Sequence, residues 1–244
     1  MVTFTNFSDL LPDPVNKINT AGVSDATGLA GPGFAKVKFR SNNQGVQVSR
    51  TRSGRGVIAS PETHTWEFDI NYNALTREEF EPVSTFLETR QGRYKPFYVI
   101  LPQHKVPRNS TFATFCQTAT IRNVGIHQAG SSTILIDASS AFSGTPSQGD
   151  FFNITDSSDA NHKKAYKVTR VETPDYYQAG TTAPTAGQLR IHIQPPLART
   201  TSDNSVINFI DPKFRVIMTS DVHEYDLDVD GLYQFSLSLE EIQP

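Results

Sequence analysis

Asp226-Leu227-Asp228-Val229-Asp230-Gly231 sets carboxylates at the first, third and fifth positions of a run that reaches a glycine, as the calcium loop of an EF-hand begins. Such a loop needs a bidentate Glu at its twelfth position, and Leu237 stands there; Glu240 and Glu241 come too late, and no helices flank the run. A strand with acids on the face opposite its core explains the spacing better. The six histidines, His64, His104, His127, His162, His192 and His223, are scattered, none at ligand spacing from another His or from Cys116. Cys116 is the single cysteine, so neither an intrachain disulfide nor a multi-cysteine zinc site can form. Gly144 and Gly149 lead into no GK[ST], and there is no G-x-S-x-G elbow. The pairs Glu78-Glu79 and Glu240-Glu241 sit at a helix start and near the chain end, where structure accounts for them. No catalytic, metal or cofactor site is expected, and the chain does not read as an enzyme.

The elements that carry these residues are mostly strands. Trp66, Phe68, Ile70 and Tyr72 alternate with polar residues at the period of a half-buried strand. The spacing then changes: Phe80, Val83, Phe86 and Leu87 fall on one side of a helix. Thr76 with Glu79 three residues on is a capping-box signature, Pro82 predicts irregularity, and Gly92 suits a left-handed stop, so a helix is predicted over 76–91. Tyr94 and Phe97 to Ile100 then form an aromatic and β-branched run closed by Pro102, completing a strand, helix, strand unit.

At 244 residues the chain is long enough for one large β domain or two smaller ones. Its formal charge of −3, from 22 basic and 25 acidic residues, gives no general drive toward nucleic acid or anionic membrane. No stretch approaches the ~20 apolar residues of a membrane span. The opening MVTFTNFSDLLPDP, with Asp9 and Asp13 and no basic residue, is a poor secretory signal.

Residues 1–33, rich in Pro and Gly, read as an extended arm that either stays mobile or lies along a neighbour, the second favoured because it covers Phe4, Phe7, Leu10 and Leu11. Val37 and Phe39, then Val46 and Val48 across Ser41 to Gly45, predict a hairpin. Lys36, Lys38, Arg40, Arg50, Arg52 and Arg55 fall in a window without an acid. That window is a solvated face, a partner for acidic surface or a phosphate contact. Between 104 and 211 six short β runs, at 119–124, 133–136, 151–154, 165–171, 189–193 and 206–210, show no helical period and predict a small barrel or sandwich. The loops 139–149 and 174–187 are long enough to be contact surfaces. In the last segment Tyr225, Leu227, Val229, Tyr233, Phe235, Leu237 and Leu239 share one parity, and Glu224, Asp226, Asp228 and Asp230 the other. One long strand satisfies this, as does a hairpin with the three-residue loop Asp230-Gly231-Leu232.

The run LTREEFEPVSTFLETRQGRYKPFYVILP resembles a segment shared by the minor tail and distal tail protein families of tailed bacteriophages, and GLYQFSLSLEEIQ resembles their closing strand. The resemblance covers 37–103 and 212–242. GDFFNI, KAYKVTRV and LRIHIQPPLAR resemble the β-rich inserted domain of tail-tip proteins more loosely, with Ala198 as a departure. It implies an all-β fold with one short helix: a tail-tube-like β-sandwich or half-barrel ring module, 34–103 with 212–244, holding a small inserted β-barrel at 104–211. It also implies a structural virion protein, assembled in the host cytoplasm into a homo-oligomeric ring, usually hexameric, that joins the tail tube protein to the tip or baseplate. DNA would pass through the lumen, lined by Glu224, Asp226, Asp228 and Asp230, while the basic 36–55 region would meet acidic surface on a neighbouring subunit. The competing expectation is a host-surface carbohydrate-binding module stacking sugars on Tyr176, Tyr177 and Phe142.

Overall fold

The computed structural model describes residues 9–15, 31–43, 47–59 and 64–244. The fold is all-β, and the chain divides into two compact units, Met1–Val99 with Arg215–Ile242 and Ile100–Phe214 with Gln243–Pro244. The first unit is therefore discontinuous in sequence. No helix among the described residues is long and apolar enough to cross a membrane.

The first unit is built on β1 (Lys36–Asn43), β2 (Gln47–Arg50), β3 (Gly56–Ala59), β4 (His64–Asn71), helix α1 (Arg77–Arg90) and β5 (Phe97–Ile100). The second contains a 3-10 turn at Pro102–His104, helix α2 (Ser110–Thr118) and strands β6 (Ile121–Asn123), β7 (Thr133–Ala138), β8 (Phe151–Thr155), β9 (Ala165–Glu172), β10 (Leu189–Gln194) and β11 (Val206–Asn208). The chain then returns through β12 (Lys213–Met218), β13 (Asp226–Leu227), β14 (Tyr233–Gln234) and β15 (Ser236–Glu241).

One five-stranded sheet, in the order β1-β4-β15-β12-β5, forms the first unit. Strict alternation puts Trp66, Phe68 and Ile70 of β4 and Leu237 and Leu239 of β15 on its buried face. Helix α1 packs there, with Phe86 edge-on to Phe97 at 5.4 Å and Phe80 edge-on to Phe235 at 5.8 Å. Its start is fixed as the spacing predicts, since the Glu79 carboxylate accepts from both the amide (3.0 Å) and the hydroxyl (2.9 Å) of Thr76. Pro82 is accommodated inside the helix, and the left-handed stop falls on Gln91, with φ 56°, as well as on Gly92. At the other edge, residues 9–11 add to β5: Tyr98 N–H donates to Asp9 O (2.7 Å) and Leu11 N–H to Tyr98 O (2.8 Å).

The predicted arm is thus partly an integral piece of its own unit. Leu11 and Asp13 are buried, and Asp9 pairs at 2.6 Å with Arg90, whose side chain is nearly fully covered. Phe4 and Phe7 lie outside the described residues. The predicted 34–50 hairpin is also corrected. β1 pairs with β4, from Lys36↔Asn71 to Asn43↔His64, while β2 pairs with β3. Both runs alternate, and alternation alone does not choose a partner; of the predicted Ser41 to Gly45 turn, Ser41, Asn42 and Asn43 instead continue β1, and Gln44 and Gly45 lie outside the described residues.

The second unit is a closed barrel, β10-β7-β6-β11-β8-β9. Its six strands match the six predicted β runs to within a few residues. The expectation of a single helix is corrected by α2, which lays Phe112 and Phe115 onto the barrel core beside Ile134, Ile136, Phe152 and Tyr166. Asn109 starts it: its Oδ1 accepts from the amides of Thr111 (3.1 Å) and Phe112 (3.4 Å).

Candidate functional site

Two hairpins and strand β1 of the first unit carry the charged residues singled out from the sequence. β2 and β3 join through Thr51 to Arg55, closed by Thr51 N–H to Arg55 O (2.9 Å). Arg50, Arg52 and Arg55 are exposed there and make no ion pair among the described residues. Lys36 and Lys38 are exposed on β1. Arg40 is different, because its guanidinium lies against Glu67 (3.1 Å) and Asp69 (3.0 Å) on β4, so it is occupied within the chain.

Glu224, Asp226, Asp228 and Asp230 are all exposed, on or beside the small hairpin of β13 and β14. Its register, Asp226↔Gln234 and Leu227↔Tyr233, makes Val229-Asp230-Gly231 the loop, one residue earlier than expected. Gly231, at φ 75°, supplies the left-handed step. The base is anchored by reciprocal backbone bonds between Leu75 and Tyr233 (2.9 and 2.8 Å) and by Phe80 against Tyr225 and Tyr233. The expected core face fails here: Tyr225, Leu227 and Val229 are exposed, and only from Phe235 onward is that parity buried.

The barrel holds a site with no sequence motif. Glu172 at the end of β9 lies opposite Arg190 on β10, and Arg170 opposite His192, so all four share one strand face. Glu172 is only 3% exposed, because the side chains around it form a lid. Arg170 donates to Oε1, Arg190 to Oε2 at 2.8 Å, and His192 Nε2 lies 3.0 Å from Oε1. That same nitrogen is 3.0 Å from Arg170, so one tautomer donates to the carboxylate and the other accepts from the guanidinium. Burial pushes the Glu172 carboxyl up, but hydrogen bonds from His192, Arg190 and Arg170 outweigh it and hold the group at about 2.

The two arginines also reach into the long 173–187 loop, Arg170 to Gln178 Oε1 (3.0 Å) and Arg190 to Thr182 O (2.7 Å). A shallow pocket of about 380 Å³ lies beside this clamp, lined by Arg170, Glu172, Asp175, Tyr176, Tyr177 and Gln178. Tyr176 is 80% exposed and Tyr177 47%. Phe142, the third expected sugar platform, instead packs its ring 5.5 Å from Phe115 against the barrel core.

His162 and Cys116, the other candidates for chemistry in this unit, are held by structure. His162 is buried and hydrogen-bonded at 2.8 Å to Tyr166, whose hydroxyl also accepts from Ala198 N–H. Burial holds its imidazolium down at about 4, against the opposing pull of Asp159 and Asp156. The Cys116 thiol is pushed up to about 12 by burial first and by Asp150 second, which removes the nucleophilic thiolate at neutral pH. No cluster of three or more His, Cys, Asp or Glu suited to a metal occurs among the described residues. The Glu172 group escaped sequence reasoning because Arg-x-Glu and Arg-x-His on separate strands look like ordinary solvent-face alternation. Only the barrel register brings them together. No family model matches the chain, and no curated protein matches it.

Proposed function

We propose that the chain is a structural protein of a tailed-phage tail, forming a ring at the distal end of the tail tube that links tube to tip and lets DNA pass. The observation that carries this is that β4 and β5, which flank α1 in the segment with the resemblance, share one sheet with the C-terminal strands β12 and β15, which follow the inserted barrel in sequence. A ring satisfies exposed edges and hairpins through its neighbours, where a solitary β protein must protect each one. No catalysis is assigned, and six copies is the number the resemblance implies. Mass measurement of the purified chain and imaging of the particle test it: a discrete ring at the end of a tail tube is expected, and a monomer absent from particles overturns it.

A second function is favoured by the exposure of Tyr176 and Tyr177 over the clamped loop: recognition of host-surface carbohydrate. Aromatic faces beside fixed polar groups suit a sugar ring. Tyr176→Ala should abolish glycan binding by the purified chain, and the absence of any glycan binding by the unmodified chain overturns it.

A further inference from the structure

The two hairpins of the first unit are opposite in charge and leave opposite ends of one sheet. β2 and β3 lie between Asn43, the last residue of β1, and His64, the first of β4, which are register partners. The links on either side are so short that the hairpin base stays within about 15 Å of that end. β13 and β14 lie at the other end, tied by Tyr72 N–H to Phe235 O and by the Leu75 and Tyr233 bonds to residues just past β4, where Asn71 pairs with Ser236. The eight residues of β4 put roughly 25 Å between the two ends.

Each hairpin is unfinished by itself. Two-stranded hairpins are marginal in water, yet Val48 and Ile58, a cross-strand pair, are 68% and 72% exposed, and Leu227 and Val229 60% and 100%. The described residues of the first hairpin, 47–59, include three arginines and no acid. Residues 224–234 include four acids and no base. None of these charges has an ion-pair partner among the described residues.

We propose that the arginine hairpin β2–β3 of one copy docks on the acidic hairpin β13–β14 of the next, joining copies head to tail. This rests on the ring reading and gives that ring its contact. The occupant is a second copy because the same chain carries both halves of the match at opposite ends, which is what a heterologous interface requires. Val48 and Ile58 share a face with Arg50 and pack over the acid-bearing face of β13–β14, while Arg50, Arg52 and Arg55 against Asp226, Asp228 and Asp230 supply register and attraction. The acids then face a neighbour, not the lumen.

Charge reversal on the full chain tests this. One variant carries R50E, R52E and R55E, and a second carries D226K, D228K and D230K, all exposed positions, with circular dichroism melting to check each fold. Sedimentation velocity should show the unmodified chain as a discrete oligomer that weakens steeply with salt. Each variant alone should associate on the order of a hundredfold more weakly. An equimolar mixture should reassemble, because every contact in an alternating ring then joins opposite charges, and a chain carrying both reversals should assemble alone. Variants that assemble as tightly as the unmodified chain overturn the contact while leaving the ring standing, and so does a mixture that stays dissociated. An unmodified chain that is monomeric at tens of micromolar overturns both.

Discussion

Glu172 shows how a carboxylate becomes structural without a motif. It is shielded by side chains that are themselves partly wet, Arg170 at 44% and Arg190 at 22% exposure, so its charge stays close to water while its oxygens are fully engaged. Glu172→Gln keeps the shape and removes the charge that orders both guanidinium groups. The expected result is a loss of about 1–3 kcal/mol in urea unfolding and faster proteolysis within 174–187, because Gln178 and Thr182 lose their anchored partners. His162 sets a separate pH window. Its folded value of about 4 lies below the ordinary 6.5, so above pH 6.5 both folded and unfolded forms are neutral and it has no effect. As pH falls from 6.5 to 4 only the unfolded chain takes the proton, and stability declines. Burial lowers His104, His127 and His223 in the same direction. Glu172 then adds a loss from 4.5 down to about 2. Urea midpoints at pH 7, 5.5 and 4 check this, and His162→Gln should flatten the slope between the first two. The exposed tyrosines were legible as loop aromatics. Glu172 was not, because a charged residue in an alternating strand has the same signature whether water or arginine covers it.

Among the elements, α1 was legible because three independent signals coincide: the capping residues, the apolar face and the left-handed stop. Helix α2 has only nine residues, mostly Ser, Thr, Phe and Cys, which are poor or middling helix formers. It persists because Asn109 caps it and because Phe112 and Phe115 sit on a closed barrel. Asn109→Ala should cost the barrel unit about 1 kcal/mol, read as a lower melting temperature. It also frees Thr145 O, to which the Asn109 amide donates at 3.2 Å. Thr76→Val should cost α1 less, about 0.5 kcal/mol, since Glu79 keeps its bond to the Thr76 amide. The β-hairpins were the least legible elements. Alternation marked every strand but did not say that β1 answers to β4, nor that Leu227 and Val229 stay exposed among the described residues.

At the scale of the whole molecule, the barrel closes on itself and gathers its own ends. Asp211 N–H donates to Lys105 O at 2.8 Å, and the two side chains pair at 3.7 Å. A piece spanning 105–211 should therefore fold alone, with a cooperative melt and dispersed amide NMR shifts. The discontinuous arrangement was implied by the resemblance of 37–103 and 212–242 to one module, but the clasp was not legible, because a Lys and an Asp more than a hundred residues apart carry no local sign of each other. The clasp has a kinetic consequence. Asp69 and Ser238, bonded across β4 and β15, are 169 residues apart, a long loop to close before any sheet contact rewards it. A finished barrel shortcuts that loop to roughly 60 residues and lowers its closure entropy by about 1 kcal/mol. The barrel should thus form early and the sheet late. Trp66, the single tryptophan and buried in the sheet, gives the late step its own fluorescence signal.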